Sequence, residues 1–503
     1  MNPLIYGKDT TERIVNISHK DGAIYAFTES ATGEVTQSDA IPWKPWAISS
    51  KNVQGSTVLD GTQHYKYLHH FSSLTEMKEK RNKVYELDMY TVWNMAEQFM
   101  LIEGATYFKG MNIKDVSVLS FDIETDGLKH TDNSKVFMIG NTFRKGDVIE
   151  KRLFNLKDYG NDCGALIHDW CLYVQQCNPS VLLGHNIISY DLPYLNHVAS
   201  LNGVALLLGR DSSEIVFDER PSKFRKDATQ KYEYFNPTIF GREIIDTFFL
   251  SVKFDLGRKY NSYGLKQIIK QEGLEKEGRA FVDAVKIKQY YDSDTAMYAL
   301  ACEYCKDDSE DALKIYDLMI APTFYFTQTV PMTFQQMIGR ASGSQLNSLM
   351  VRAYLSKGHS IAKGNKSEGF TGALSLGIPG IYNEVFKIDA VALYPSIMRQ
   401  YKIFSQLKDP KRYFSELVEY YAIERLKNKS LAKETGLEYY KGLEQSQKVV
   451  ANSFFGFLGA PGLNYNYPEG AALITKYGRE ILEKTIMFST NKDYNYWKNM
   501  VIE

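Results

Sequence analysis

The sequence predicts a multidomain protein that combines α/β and α+β parts, and three observations carry that prediction. The chain has 503 residues, and at roughly 150 residues per domain that corresponds to about three domains. An apolar, β-rich run, Val116-Ser-Val-Leu-Ser-Phe-Asp122, opens a region of alternating strand and helix patterns that extends to about residue 320. Past a Gly-rich stretch from Gly364 to Gly380, the pattern becomes predominantly helical and rich in Tyr, Lys and Glu, to about residue 458.

Taken in order, the stretch up to about Gly110 mixes short alternating strands such as Ala23–Phe27 with turns such as Ser30–Val35. Asp211–Gly241 is polar and aromatic without a clean period and reads as a long loop or insertion. Val385-Phe-Lys-Ile-Asp389 reads as a strand, followed by a turn and a helix that starts near Pro395. From about Ala471 to Phe488 a helix is expected, with Ile474, Tyr477, Ile481 and Phe488 as its apolar face. The expected divisions are 1–110, 111–325, 326–410, 411–470 and 471–503.

Composition excludes several classes. With 44% hydrophobic and 24% charged residues the chain is neither disordered nor fibrous. Lys plus Arg (59) nearly cancels Asp plus Glu (60), so a polyanion partner must be held by local basic stripes. No apolar run approaches the ~20 residues of a membrane span, and the N-terminus lacks a signal-peptide core, so a soluble, cytoplasmic protein is expected. The five cysteines do not suggest a disulfide framework. Cys302 and Cys305 fall in one amphipathic helix pattern, where small apolar side chains pack. Cys163, Cys171 and Cys177 are too irregularly spaced to complete a zinc site with them.

Chemistry enters with the carboxylates of the middle region. Asp122 and Glu124 lie two apart at the end of a strand and share a face; side by side they repel unless a cation sits between them. Oxygen ligands of this kind suit Mg²⁺ or Mn²⁺. Asn186 and Asp191 follow the apolar Val181–Leu183 in a strand-to-helix turn. Tyr304 and Asp308 lie four apart on one helix face. Asp126 and Asp307 are expected to point away, and His185 to pack or to face substrate. Tyr291-Asp-Ser-Asp294 reads as a solvated helix start, and Ser262–Leu265 and Asp246–Phe248 as packing residues.

The ordered set Asp122, Glu124, Asp191 and Asp308, with Tyr304 beside it, resembles the DEDD-type proofreading 3′–5′ exonucleases in their Tyr subtype. The resemblance implies an RNase H-like domain and two divalent ions, Mg²⁺ or Mn²⁺, held by the four carboxylates. It also implies that Tyr304 orients the attacking water and that Asn186 contacts single-stranded DNA.

A second group of motifs lies in the C-terminal third. Asp389-Ala-Val-Ala-Leu393-Tyr394-Pro395-Ser396 places a carboxylate and exposed amides together. Lys448 and Asn452 share a face of one helix with Phe455 and Gly456, and Arg425 and Lys429 lie four apart on another; cations from two helices suit a triphosphate. With these the whole chain resembles a family B (alpha-like) DNA polymerase of phage or archaeal type. D-x-x-x-L-Y-P-S corresponds to that family's motif A and K-x-x-x-N-S-x-[YF]-G to its motif B. The resemblance implies that Asp389 is a catalytic metal ligand, with two ions in this site also. Leu393 and Tyr394 would meet the dNTP, Tyr394 under the sugar. Arg425, Lys429 and Lys448 would bind the triphosphate, and Asn452 the nascent pair. Phe370-Thr-Gly372-Ala373 resembles a template-contacting link, and Phe455 replaces the usual Tyr of motif B.

The family's motif C, a D-T-D hairpin, is not found, nor is a thumb. The expected protein is therefore the N-terminal portion of a split polymerase with an exonuclease domain, half a palm and helical fingers. A second polypeptide would supply motif C and thumb. Primer–template DNA, dNTPs and a sliding clamp are the other expected partners, in the host cytoplasm if the gene is a phage's. The alternatives are a stand-alone 3′–5′ exonuclease with a vestigial polymerase region, or a non-catalytic DNA-binding fragment.

Overall fold

The computed structural model describes residues 2–502 except 53, 81–85, 87, 226–230, 256, 294–295 and 367–368. Asp294, part of the stretch read as a solvated helix start, lies outside the described residues. Two four-stranded antiparallel sheets precede the middle region. One is built on Ile14–Lys20 and Ala23–Glu29, the other on Trp46–Ser49 and Tyr67–His70.

The middle region is a five-stranded sheet covered by helices. Its strands are β1 (Val118–Thr125), β2 (Val136–Lys145), β3 (Val148–Asn155), β4 (Val181–Gly184) and β5 (Glu243–Asp246), in the order β3-β2-β1-β4-β5. The first three form an antiparallel meander, whereas β4 runs parallel to both β1 and β5. β1 is buried along nearly its whole length, as its continuous apolar run requires of a central strand. Parallel β4 needs a crossover, supplied by helix α1 (Cys163–Cys177). Helices α2 (Asp191–Leu201), α3 (Thr247–Phe254) and α4 (Leu265–Gln271) follow, and then α5 (Ala296–Met319), which lies across β1 and β2. Cys302 and Cys305 are free thiols on α5, as a packing role predicts.

Helices dominate the remainder: α6 (Ser342–Leu355), α7 (Leu393–Gln400), α8 (Tyr413–Thr435), α9 (Glu438–Gly459) and α10 (Pro468–Thr490). They share a second apolar core that includes Leu349, Ile397, Leu417, Phe454 and Ile474. Among the described residues no helix is long and apolar enough to cross a membrane.

Three expectations are corrected. Asp211–Gly241 is not a plain loop: Val216–Phe217 pairs with Pro237–Thr238, and Ser222–Arg225 with Lys231–Tyr234. Phe224 of this ribbon stacks on Phe249 of α3, and Tyr232 and Tyr234 meet the same ring at a tilt, which explains the ribbon's aromatic content. Val385–Asp389 is not a strand but an exposed segment without regular structure. A strand exists only as part of a ladder, and no described strand lies beyond β5 to pair with it. Finally, the apolar face of α10 is only half covered: Ile474 is buried and Tyr477 stacks on Tyr401, whereas Phe488 is 92% exposed.

Candidate active site

β1 delivers Asp122 and Glu124, as a strand-end D-x-E pattern should. Their carboxylates and the Cys305 thiol lie within 4.8 Å of one another. Asp191 stands at the first turn of α2, where a carboxylate is favoured by the helix dipole, and accepts the Ile123 amide at 3.3 Å. α5 presents Tyr304 and Asp308 one turn apart. Glu124, Asp191, Tyr304 and Asp308 are all buried. Four carboxylates from three segments thus lie close enough to act on one another's charge.

Their electrostatics reflect this crowding. Burial first, and then the charges of Asp308, Asp191 and Glu124, push the Asp122 carboxyl far above its ordinary range. Glu124 is raised by burial and by Asp308, and Asp191 is pushed up to about 8 by burial and by Asp246. Asp308 is raised by burial, against which Lys266 and Arg279 pull downward. Such a set favours a cation. Glu124, only 8% exposed, has no hydrogen bond or ion pair to its carboxylate among the described residues. A donor set of four carboxylates fits a hard divalent ion.

Three supporting residues escape a reading of the sequence. Asp246, expected only to pack, accepts the amides of Asn186 (2.8 Å), Ile188 (3.1 Å) and Phe248 (2.9 Å). It therefore fixes the turn in which Asn186 adopts a left-handed φ of 68°, a conformation that Asn tolerates. Lys266 of α4 donates to the Tyr304 hydroxyl and lies 3.9 Å from Asp308 Oδ2. Arg279 donates to Asp308 Oδ1 and, at 2.6 Å, to Asp311 Oδ2. Asp126 and Asp307 do point elsewhere, to Tyr194 and Lys276 respectively, and His185 is packed between Thr247 Oγ1 and the Tyr263 carbonyl.

The second residue set is more dispersed. Asp389 is exposed and lies outside any element. Leu393 and Tyr394 begin α7, and the Tyr394 ring meets Phe455 of α9 at 4.6 Å between centroids. Phe370 packs edge-on against the same ring at 6.0 Å, so Phe455 retains a packing role without a hydroxyl. Arg479 of α10 donates to the Thr371 and Gly372 carbonyls and pins that link. Lys448 and Asn452 are exposed on one face of α9, and Lys429 is exposed on α8. Arg425 is not free to meet a triphosphate as it stands: it is bound across the two helices to Glu444 at 3.0 Å.

Comparison with known proteins gives this geometry a lineage. Residues 66–268 match the exonuclease domain of DNA polymerase family B. DNA polymerase 2 of Aeropyrum pernix is 23% identical over 420 residues, covering 76% of this chain and 49% of that protein. The DNA polymerase delta catalytic subunit of Dictyostelium discoideum is 25% identical over 435 residues, covering 73% of this chain and 38% of its own length. The chain therefore spans about half or less of the length of the curated relatives it matches. A solved structure, the family B DNA polymerase from the archaeon Pyrobaculum calidifontis, shares the fold with a TM-score of 0.72 at 16% identity. It covers 95% of this chain, which in turn spans 71% of that one. Residues 66–268 carry the exonuclease domain of DNA polymerase family B, and the chain as a whole is similar to family B DNA polymerases in sequence and fold.

Proposed function

We propose that this chain removes nucleotides from the 3′ end of single-stranded DNA. The observation that carries the reading is the meeting of four carboxylates from β1, α2 and α5 in one buried cluster. Asp122, Glu124, Asp191 and Asp308 would hold two divalent ions, Mg²⁺ or Mn²⁺, which supply charge neutralisation and activation of water for phosphodiester hydrolysis. Water adds to phosphorus as the bond to the 3′ oxygen breaks, and a nucleoside 5′-monophosphate leaves. Tyr304 keeps its proton, because burial and the charge of Asp308 push its pKa well above the ordinary phenol range, so its hydroxyl orients the water rather than acting as a base. Lys266 holds that hydroxyl in place. Asn186, in the turn fixed by Asp246, faces the strand being cut. The Asp122→Ala, Glu124→Ala double variant should lose nearly all Mg²⁺-dependent degradation of a 3′-labelled oligonucleotide while still binding it. Hydrolysis at the wild-type rate would refute the assignment.

A second activity, templated DNA synthesis, is favoured by the face shared by Tyr394, Phe455 and Phe370 and by the exposed Lys448 and Asn452. Asp389 would hold metal, Leu393 and Tyr394 would meet the dNTP, and Phe370 and Gly372 would meet the template. Arg425 would join Lys429 and Lys448 at the triphosphate only after release from Glu444. The support for a second polypeptide carrying motif C and thumb is the segment 381–391. There Ile381 (98% exposed), Phe386 (90%) and Ile388 (67%) face solvent with no strand among the described residues to pair with. The expected divisions near residues 110, 325, 410 and 470 remain the proposed domain organisation. Primer extension by co-expressed chains, lost in Asp389→Ala with exonuclease retained, is the expected result. Robust extension by the lone, sequence-verified chain would refute the need for a partner.

A further inference from the structure

Beside the four carboxylates lies a cation that the proposed chemistry leaves without a role. Arg279 sits in an irregular segment between α4 and α5, with its side chain 1% exposed. Its planar fork reaches two carboxylates three residues apart on α5: Nη2 donates to Asp308 Oδ1, and Nε donates to Asp311 Oδ2 at 2.6 Å. The guanidinium carbon also lies 5.7 Å from the centre of the Tyr304 ring. The same segment is fastened to the helix a second time. Lys276 pairs with Asp307, and the Ala280 amide donates to Asp307 Oδ2 at 3.0 Å. One guanidinium thus binds Asp308 and lies over the ring of Tyr304, the two α5 side chains of the proposed site.

We infer that Arg279 is a positioning residue for hydrolysis: by occupying Asp308 Oδ1 it commits Oδ2 to the metal, and by bridging to Asp311 it fixes the rotamer of Asp308. The inference rests on the exonuclease reading. Its physical basis is that a carboxylate free to rotate can offer either or both oxygens to a cation. A planar, doubly anchored donor removes that freedom, as a single rotating ammonium cannot. Groups that orient metal ligands typically carry about 10- to 100-fold of affinity or rate. Charge alone predicts the opposite sign. Removing a cation close to the cluster would tighten binding of a divalent ion, so position and charge are separable by experiment.

Two variants make the test, Arg279→Met and Arg279→Lys, the second retaining charge but unable to span both carboxylates. Mn²⁺ binding is read by the electron paramagnetic resonance of free Mn²⁺, without DNA. Exonuclease kcat and KM are read separately on a single-stranded oligonucleotide. The expected result for Arg279→Met is Mn²⁺ affinity and kcat each lowered about tenfold or more, with KM within about twofold. Arg279→Lys should be impaired in the same direction, and it carries the test if Arg279→Met does not fold. Wild-type kcat and Mn²⁺ affinity in Arg279→Lys, or tighter Mn²⁺ binding with undiminished kcat in Arg279→Met, would overturn the positioning role. A wild-type protein that neither binds Mn²⁺ nor degrades single-stranded DNA would instead overturn the exonuclease reading beneath it.

Discussion

Gly140 of β2 stands directly opposite Asp122 of β1, and α5 passes over it at the level of Cys305, next to Tyr304. A Cβ at this position would lie 2.3 Å from the Cys305 carbonyl oxygen, 2.8 Å from its carbon and 3.0 Å from its Sγ. Ordinary contact begins at 3.4 Å, and the obstructing atoms include helix backbone, which no rotamer change can clear. In Gly140→Ala, then, α5 must retreat from the sheet by about 1 Å, because close-packed interiors have no slack of that size. Overpacking of this kind costs about 1–3 kcal/mol. The catalytic consequence is larger than the stability loss. Asp122 and Glu124 stay with the sheet while Tyr304 and Asp308 move with the helix, and a misplacement of about 1 Å costs on the order of 10²-fold in rate. The assay is single-turnover degradation of a 3′-labelled oligonucleotide in Mg²⁺, alongside a thermal melt and DNA binding. A variant with the wild-type rate and melting temperature would show that the approach of α5 to β2 does not set the geometry of the four carboxylates.

Two further substitutions probe other parts of the same logic. Tyr304→Phe should lower exonuclease kcat less than loss of Asp122 does, since the hydroxyl orients rather than coordinates. A loss equal to that of Asp122→Ala would make Tyr304 more than an orienting group. Glu97, buried in the helix Met95–Glu103, has its carboxyl pushed up to about 7 by burial, with Arg340 pulling the other way. A raised native pKa makes its stabilisation complete below the unfolded value of 4.5 and lost as pH rises through about 7. In Glu97→Gln the melting temperature should rise relative to wild type at pH 8 but not at pH 4.5, a difference of up to about 3 kcal/mol. An equal melting difference at both pH values would refute the shifted titration.

What could be read from the sequence, and what could not, divides along a physical line. Period pairs Asp122 with Glu124 on one strand face and Tyr304 with Asp308 on one helix face, a turn after an apolar strand offers Asp191, and the resemblance to DEDD-type exonucleases is what joins the five into one candidate set. Asp246, Lys266 and Arg279 were not legible, because their partners are brought to them only by the tertiary fold. Asp246 meets the Asn186 turn across the β4–β5 pairing, and Arg279 meets α5 from a segment with no period. The ribbon within 211–241 escaped notice because its longest described strands have four residues, too short to declare an alternation. Arg425 reads identically in sequence whether it faces a phosphate or Glu444.

Val385–Asp389 is the instructive failure, because its local pattern is that of a strand. Propensity describes how well a residue fits a pleated surface, and the surface itself is made by neighbours. Without a paired neighbour among the described residues, the backbone groups of the segment have no ladder to join, and the apolar side chains gain nothing by alternating. The exposed lower half of α10 has the same deficiency from the helical side: Ile481 is 36% and Phe488 92% exposed, although one helical stripe connects them to the buried Ile474. The segment carrying Asp389 and the helix that would cover a sheet are therefore both present, and the layer between them is what each lacks. In the two-chain arrangement proposed above, a supplied strand would give the first its ladder and the second its apolar face, so the Asp389→Ala test of synthesis is to be made with the co-expressed chains.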